Sequence, residues 1–205
     1  MFYFAGTRKP DFKNISQDIY ADYWQSREFK LREKMMEREI IFFDWIKSNS
    51  KILSIGCGNS RLLYELKEKK QAEVFGIDIE EKVVAELNKI GIRAAVADVA
   101  RPDFDLKNIF GEEKCDYIIL SEFLEHLVLP EVLMSKIIST GDNFLISVPN
   151  SAFYRYRLGL MFKGRFFTQW AKHPAEHLRF WSHRDFWDWL KARDLKIVKF
   201  KTLHM

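Results

Sequence analysis

The stretch "SEFLEHL", residues 121–127, crowds together three groups capable of proton or metal chemistry. Glu122, Glu125 and His126 are spaced i, i+3, i+4, so on a helix one face would present two carboxylates and an imidazole. Oxygen donors suit hard divalent cations such as Mg²⁺, and an added imidazole moves the preference toward Mn²⁺, Fe²⁺ or Zn²⁺. A cation held there could bind substrate hydroxyls and lower the pKa of the attacking one. In the plainer reading Glu122 touches a cofactor, Glu125 is solvated and His126 lines a pocket as an ordinary polar residue. The spacing alone does not choose between them. Two more imidazoles, His173 and His177, stand in the long segment that follows Pro149.

A second constellation lies upstream in "KILSIGCGNSRLL", residues 51–63. An apolar run ends in Gly56-Cys57-Gly58, and Asp78 closes the next apolar run twenty residues beyond Gly58. Glycines in a strand-to-helix turn followed by a strand-terminal acid match a nucleotide site in which the acid takes ribose hydroxyls. A dinucleotide would want a third glycine at position 61, where the helix must approach a pyrophosphate, and the residue there is Arg61. A nucleoside without phosphates, such as S-adenosylmethionine (SAM), does not need that approach. Asp98 ends a third run and offers an acceptor suited to an adenine amino group. Each acid has a structural alternative, since strand-terminal Asp residues also cap their own loops.

Regular elements must bring these residues together. Five runs rich in Val and Ile read as strands, at 51–56, 73–78, 92–98, 115–121 and 143–149. Helical patterns alternate with them: 61–69, 80–90, and 123–138 with a break at Pro130. Strand–helix alternation implies a parallel sheet with right-handed crossovers and ligands beyond the carboxyl ends of the strands. A helix at 183–194 and a last strand, "KIVKFKTL", complete the chain. The expected fold is α/β, a Rossmann-like open, mostly parallel sheet of six to seven strands with helices on both faces. The organisation reads as an N-terminal helical cap (1–47), a nucleotide-binding core (48–150), a substrate lid (151–181) and a C-terminal helix and strand (182–205).

The 205 residues, 47% hydrophobic and 30% charged, describe a globular chain with a sizeable core. A net charge of +4 permits an anionic partner without arguing for one. Cys57 and Cys115 have no metal-type spacing and read as buried thiols of a reducing compartment. Without a signal-peptide pattern or a run long enough to span a bilayer, the expectation is a cytoplasmic protein. "FYRYRLGLMFKGRFFTQWAK" interleaves aromatics with cations; it reads as a lid, with nucleic acid or a membrane surface as the less favoured partner.

In "ILSIGCGNS", "VFGIDI", "AAVADV", "CDYIILSEFLEHL" and "FLISVPN", in that order, the chain resembles class I SAM-dependent methyltransferases over residues 20–200. The resemblance implies a SAM loop of Ile55, Gly56, Cys57, Gly58 and Asn59. It implies ribose and adenine contacts from Asp78 and Ile79, adenine contacts from Asp98 and Val99, and a pocket near the methionine end lined by Ser121 and Glu122. Tyr20, Tyr23 or Trp24 would close over the cofactor. The stretch after Pro149 is similar to the small branch that includes the methionine-biosynthesis W proteins and glycan- and quinone-associated methyltransferases. Relatives usually carry an acid at the position of Ser54 and often a glycine at Ser60, which here can cap the following helix. They also normally have two strands after the last helix; with one, an uncovered edge would favour a homodimer. "Glu-x-x-Glu-His" further resembles the metal motif of small-RNA 3′-end 2′-O-methyltransferases and ubiquinone-pathway O-methyltransferases. A later histidine completes the site in the former, implying Glu122, Glu125, His126 and His177 as metal and catalytic residues, with Mg²⁺ or Mn²⁺. The expected function is SAM-dependent O-methyl transfer to a small-molecule, glycan or lipid-linked hydroxyl. A non-catalytic regulatory partner of a biosynthetic enzyme and an RNA methyltransferase stand as alternatives.

Overall fold

Residues 51–55, 73–78, 93–96, 115–121 and 141–147 pair side by side in one direction throughout. In the computed structural model, which describes residues 31–111, 114–164 and 177–203, they are β1 (Lys51–Ile55), β2 (Glu73–Asp78), β3 (Arg93–Val96), β4 (Cys115–Ser121) and β5 (Gly141–Ser147). The sheet order is β3-β2-β1-β4-β5. Chain order reverses between β1 and β4, and this switch point is where open α/β sheets bind ligands. The fold is the Rossmann-like α/β fold expected, with five strands among the described residues rather than six to seven. Residues 196–203, expected as a last strand, form none.

Both faces of the sheet are covered. Alternation sends Ile52, Val74, Tyr117, Ile119 and Leu145 to one face, packed with α1 (Glu37–Trp45), α2 (Arg61–Lys70) and α3 (Glu81–Lys89). Leu53, Ile55, Phe75, Ile77, Ile118 and Leu120 point to the other, where α4 (Leu106–Phe110) and α5 (Pro130–Ile137) supply Leu106, Phe110, Leu133, Met134 and Ile137. Two-sided burial explains why the strands are apolar runs rather than alternating ones. Cys57 and Cys115 are both buried and unpaired with each other.

Residues 123–138 are not one helix with a break. Leu124–His126 form a single 3₁₀ turn, and Pro130 starts α5 at its first position, where its missing N–H costs nothing. After β5, α6 (Tyr154–Lys163) leaves the sheet, and the chain returns at Trp181, which bridges Asn150. α7 (His183–Lys191) follows, capped by Ser182, whose Oγ accepts from the Asp185 amide at 3.1 Å. Part of the expected lid, and Tyr20, Tyr23, Trp24 and His173, lie outside the described residues. Among the described residues no helix is long and apolar enough to cross a membrane.

Candidate functional site

The turn after β1 is fastened to β2. The Gly56 and Cys57 amides both donate to the Ile77 carbonyl, at 2.8 and 3.2 Å, and the Gly58 amide donates to Asp78 Oδ2 at 2.8 Å. Gly56 and Gly58 have φ of +65° and +51°, a region that suits glycine. The Phe123 ring lies directly over Gly56, so close that a Cβ there would stand 2.1 Å from Phe123 Cδ2. Ser60 then starts α2, its Oγ accepting from the Leu62 amide at 3.2 Å and donating to Glu39 Oε1 at 2.7 Å. Buried Glu39 also pairs with Arg32, whose amide donates to the Asn59 carbonyl at 3.2 Å. α1 is thereby tied to the glycine turn. Arg61 folds back along α2, its Nε 2.7 Å from Glu65 Oε1 and its guanidinium over Tyr64.

Asp78 is buried at the end of β2, with Oδ1 accepting from the Glu80 amide at 3.0 Å. Burial raises its pKa, and the N–H bonds from Glu80 and Gly58 work against that rise. Ile79 beside it is exposed. Beyond β3, Asp98 is half-buried and caps its own turn, Oδ1 accepting from the Ala100 amide at 2.9 Å, and Val99 is in the core. Burial first, and the Asp78 charge second, hold the Cys57 thiol well above its usual pKa, so it is no nucleophile at neutral pH. Ser54 is 4% exposed in the middle of β1, between Gly76 and Ile119.

At the end of β4, Ser121 Oγ accepts from Arg38 Nε at 3.2 Å and lies 3.4 Å from Ser147 Oγ. Glu122 has φ of +50° and its amide donates to Ser147 Oγ at 3.0 Å. It therefore stands outside any helix, and the single helix face expected for Glu122, Glu125 and His126 does not form. Burial raises the Glu122 pKa, with Arg38 and Ser147 opposing.

Glu125 is not solvated; it is 1% exposed, and neither carboxylate oxygen has a hydrogen-bond partner among the described residues. Burial, reinforced by Glu122, drives its pKa well above the ordinary range. Its backbone carbonyl accepts from the Leu178 and Arg179 amides at 2.7 and 3.1 Å. That pairing lays His177 against His126, ring centroids 4.9 Å apart and nearly perpendicular. One ligand atom from each of Glu125, His126 and His177 lies within 4.8 Å of the others. Burial and then the neighbouring His126 push the His177 pKa down to about 4.

Ile55, the glycine turn, Asp78, Ile79, Ser121 and Glu122 all lie at the carboxyl ends of the central strands. Sequence reasoning missed Arg38, Phe123 and Ser147. Ser147 ends β5 and was findable by the strand-end rule; Arg38 and Phe123 carry no such signal.

The family model for "Methionine biosynthesis protein MetW" matches residues 37–204. The chain belongs to the MetW family. A curated relative, the "Bifunctional methionine biosynthesis protein MetXA/MetW" of Rhodopirellula baltica (strain DSM 10527 / NCIMB 13988 / SH1), is 26% identical over 131 residues. The match covers 58% of this MetW-family chain and 20% of that protein, so the chain spans about a fifth of its relative's length. Among solved structures, the plantazolicin methyltransferase BpumL in complex with SAH superposes at TM-score 0.56, 17% identity, over 86% of this chain and 68% of that one. A SAM-dependent methyltransferase from Archaeoglobus fulgidus gives 0.54 and 18%, over 76% and 68%. These likenesses establish a class I methyltransferase fold.

Proposed function

We propose that this MetW-family chain binds SAM across the turn after β1 and transfers its methyl group to a hydroxyl of a small-molecule, glycan or lipid-linked substrate. The observation that carries the reading is how the turn spends its amides. Those of Gly56, Cys57, Gly58, Ser60 and Leu62 all donate to protein acceptors. A pyrophosphate site leaves such donors facing its ligand. This turn instead presents a buried acid and an exposed isoleucine, beside a glycine backbone that the Phe123 ring covers at Gly56, which suit a ribose and an adenine edge.

SAM would supply an electrophilic methyl group on a sulfonium. Asp78 accepts ribose hydroxyls on lone pairs not used by Gly58 and Glu80. Arg38 and Ser121 face the amino-acid end, where the Arg38 guanidinium would pair with the carboxylate of the methionine tail. Glu122, His126 and His177 flank the open end of β4; they would position the acceptor hydroxyl, and one of the two imidazoles would take its proton during methyl transfer. The same end carries a candidate divalent-cation site. Calorimetric titration with S-adenosylhomocysteine tests the reading; no binding at millimolar ligand would sink it.

A second reading has one specific observation behind it. The curated relative joins a MetW region to a MetXA region in one polypeptide. A chain that works as the regulatory partner of a biosynthetic enzyme would co-purify with one stable protein and transfer no methyl group to any acceptor. Methyl transfer by the isolated chain excludes it.

A further inference from the structure

We propose that α6 docks on an anionic lipid surface, with Tyr154, Leu158, Met161 and Phe162 entering the headgroup layer. The four are spaced i, i+4, i+7, i+8, so they make one stripe along the helix. All four are exposed, Met161 at 66% and Phe162 at 76%. At about 100° per residue, Arg155 and Arg157 fall on the two flanks of that stripe, and both are exposed. Long cationic side chains beside an apolar stripe reach phosphates while the stripe is immersed. α6 buries none of its ten residues. A helix this short has little stability of its own in water and is normally held by packing an apolar face. Here that face points outward, which marks a surface for a partner.

Charge selects the partner. From Asn143 to Ala175 the sequence holds no Asp or Glu, and α6 itself carries Arg155, Arg157 and Lys163. The surface that meets it is therefore anionic. Nucleic-acid bases could stack on Tyr154, but exposed Leu158 and Met161 offer them neither a flat ring nor a hydrogen bond, whereas acyl chains accept all four side chains. The helix is also tied to the candidate site. Just before α6, the Ser151 amide donates to the Trp181 carbonyl at 2.9 Å. Phe180 beside Trp181 is exposed, and Arg179 donates to the carbonyl of exposed Val128 at 2.9 and 2.6 Å. One run of backbone contacts thus joins α6, Phe180 and Val128 to the loop after β4. The docking surface stands without the methyl-transfer reading. A second step rests on that reading: a chain docked this way takes the lipid-linked hydroxyl among the proposed acceptors.

The test mixes the full chain with sucrose-loaded vesicles of phosphatidylcholine, alone or in equal parts with phosphatidylglycerol, and measures the bound fraction by sedimentation. The chain should sediment with the mixed vesicles, stay in solution with the neutral ones and be released as salt rises. Phe162→Asp should weaken vesicle binding at least about tenfold. Arg155→Gln with Arg157→Gln should weaken it about twentyfold, from about fivefold for each cation. Circular dichroism checks the fold of each variant, and Met161→Ser replaces any variant that fails it. No uptake by the mixed vesicles overturns the proposal, and so does equal uptake by both kinds or uptake that survives in the folded variants. Oligouridylate binding that Phe162→Asp abolishes, without vesicle uptake, assigns the stripe to nucleic acid. A dimer in vesicle-free solution that the same variant dissociates, read by light scattering, assigns it to a second copy of the chain; either result overturns the lipid assignment. S-adenosylhomocysteine binding is titrated on the same samples and should be unchanged in the variants. Vesicle uptake without it would sink the methyl-donor reading and leave the docking surface standing; the reverse result removes only the docking surface.

Discussion

Gly56→Ala isolates the contact that closes the turn after β1. The new Cβ would stand 2.1, 2.6 and 2.8 Å from Phe123 Cδ2, Cε2 and Cγ. Cγ is the ring's root, so rotating the ring about its own axis does not relieve the overlap, and the whole side chain must swing out. Alanine at φ +65° adds about 1–2 kcal/mol of left-handed strain. Displacing the ring adds about 1–3 kcal/mol, as for other overpacked sites. The sum is about 2–5 kcal/mol, which in a chain of this size lowers the melting temperature by about 4–20 °C. The paired variant Gly56→Ala/Phe123→Ala removes the overlap and keeps the strain, so the overlap appears as coupling in a double-mutant cycle. Differential scanning calorimetry gives the stabilities and titration with S-adenosylhomocysteine gives the affinities, which should fall in both variants as the turn opens. A melting point within 1 °C of the parent's and an unchanged affinity would refute the reasoning.

Asp78→Asn should weaken S-adenosylhomocysteine binding by about one to two decades, from about 1.5–3 kcal/mol of charge-assisted hydrogen bonding; an unchanged dissociation constant contradicts the ribose assignment. Ser60→Ala removes the α2 cap and the Glu39 bond and should cost about 1–2 kcal/mol, read by thermal denaturation; no loss would mean that water replaces both. His177 has a folded pKa of about 4, below its unfolded value of about 6.5. Its contribution is present above pH 6.5 and lost as pH falls toward 4, so His177→Gln should flatten the metal-free chain's decline across that window. Glu125 runs the other way: its pKa is raised, so stability is present below about 4.5 and lost as pH rises through the folded value. Glu125→Gln should therefore raise the melting temperature of the chain at pH 8; a lower melting point there contradicts the cost assigned to the buried carboxylate.

Much of the sheet was legible because buried parallel strands are short apolar runs stopped by polar residues. "EVFGID" and "CDYIILS" are β2 and β4 residue for residue. The expected run at 92–98 overshoots β3 (Arg93–Val96) at both ends; the Ala97 amide still reaches the Asp78 carbonyl at 2.9 Å, and Asp98 caps the turn that follows. "KIVKFKTL" has the alternation of a strand, but alternation cannot reveal whether a partner edge is within reach; Val198 and Phe200 are 79% and 52% exposed. Pro130 was read as interrupting a helix when it begins one, because a pattern of apolar spacing continues through the loop before it. The glycine turn and Asp78 were readable because both lie on consecutive elements at a spacing set by one βα unit. Arg38 and Phe123 reach the same place through tertiary packing, from α1 and from the loop after β4, and no local spacing encodes that. His177 was named through a resemblance, whereas the burial of Glu125 beside it was not foreseen.

Because all five strands run the same way, the molecule has a second end that takes no part in any of this chemistry. Lys51, Glu73, Arg93 and Asp116 gather at the strand starts, where Glu73 Oε1 lies 3.9 Å from both Lys51 Nζ and Arg93 Nη1 and Asp116 Oδ2 accepts from the Lys51 amide. Strands of four to seven residues put that end about 15–20 Å from the glycine turn. It is the natural place to anchor the molecule. A fluorophore or surface tether attached at Arg93 leaves the carboxyl ends of the strands open to solution, so ligand capture can be followed on an immobilised chain without blocking the pocket.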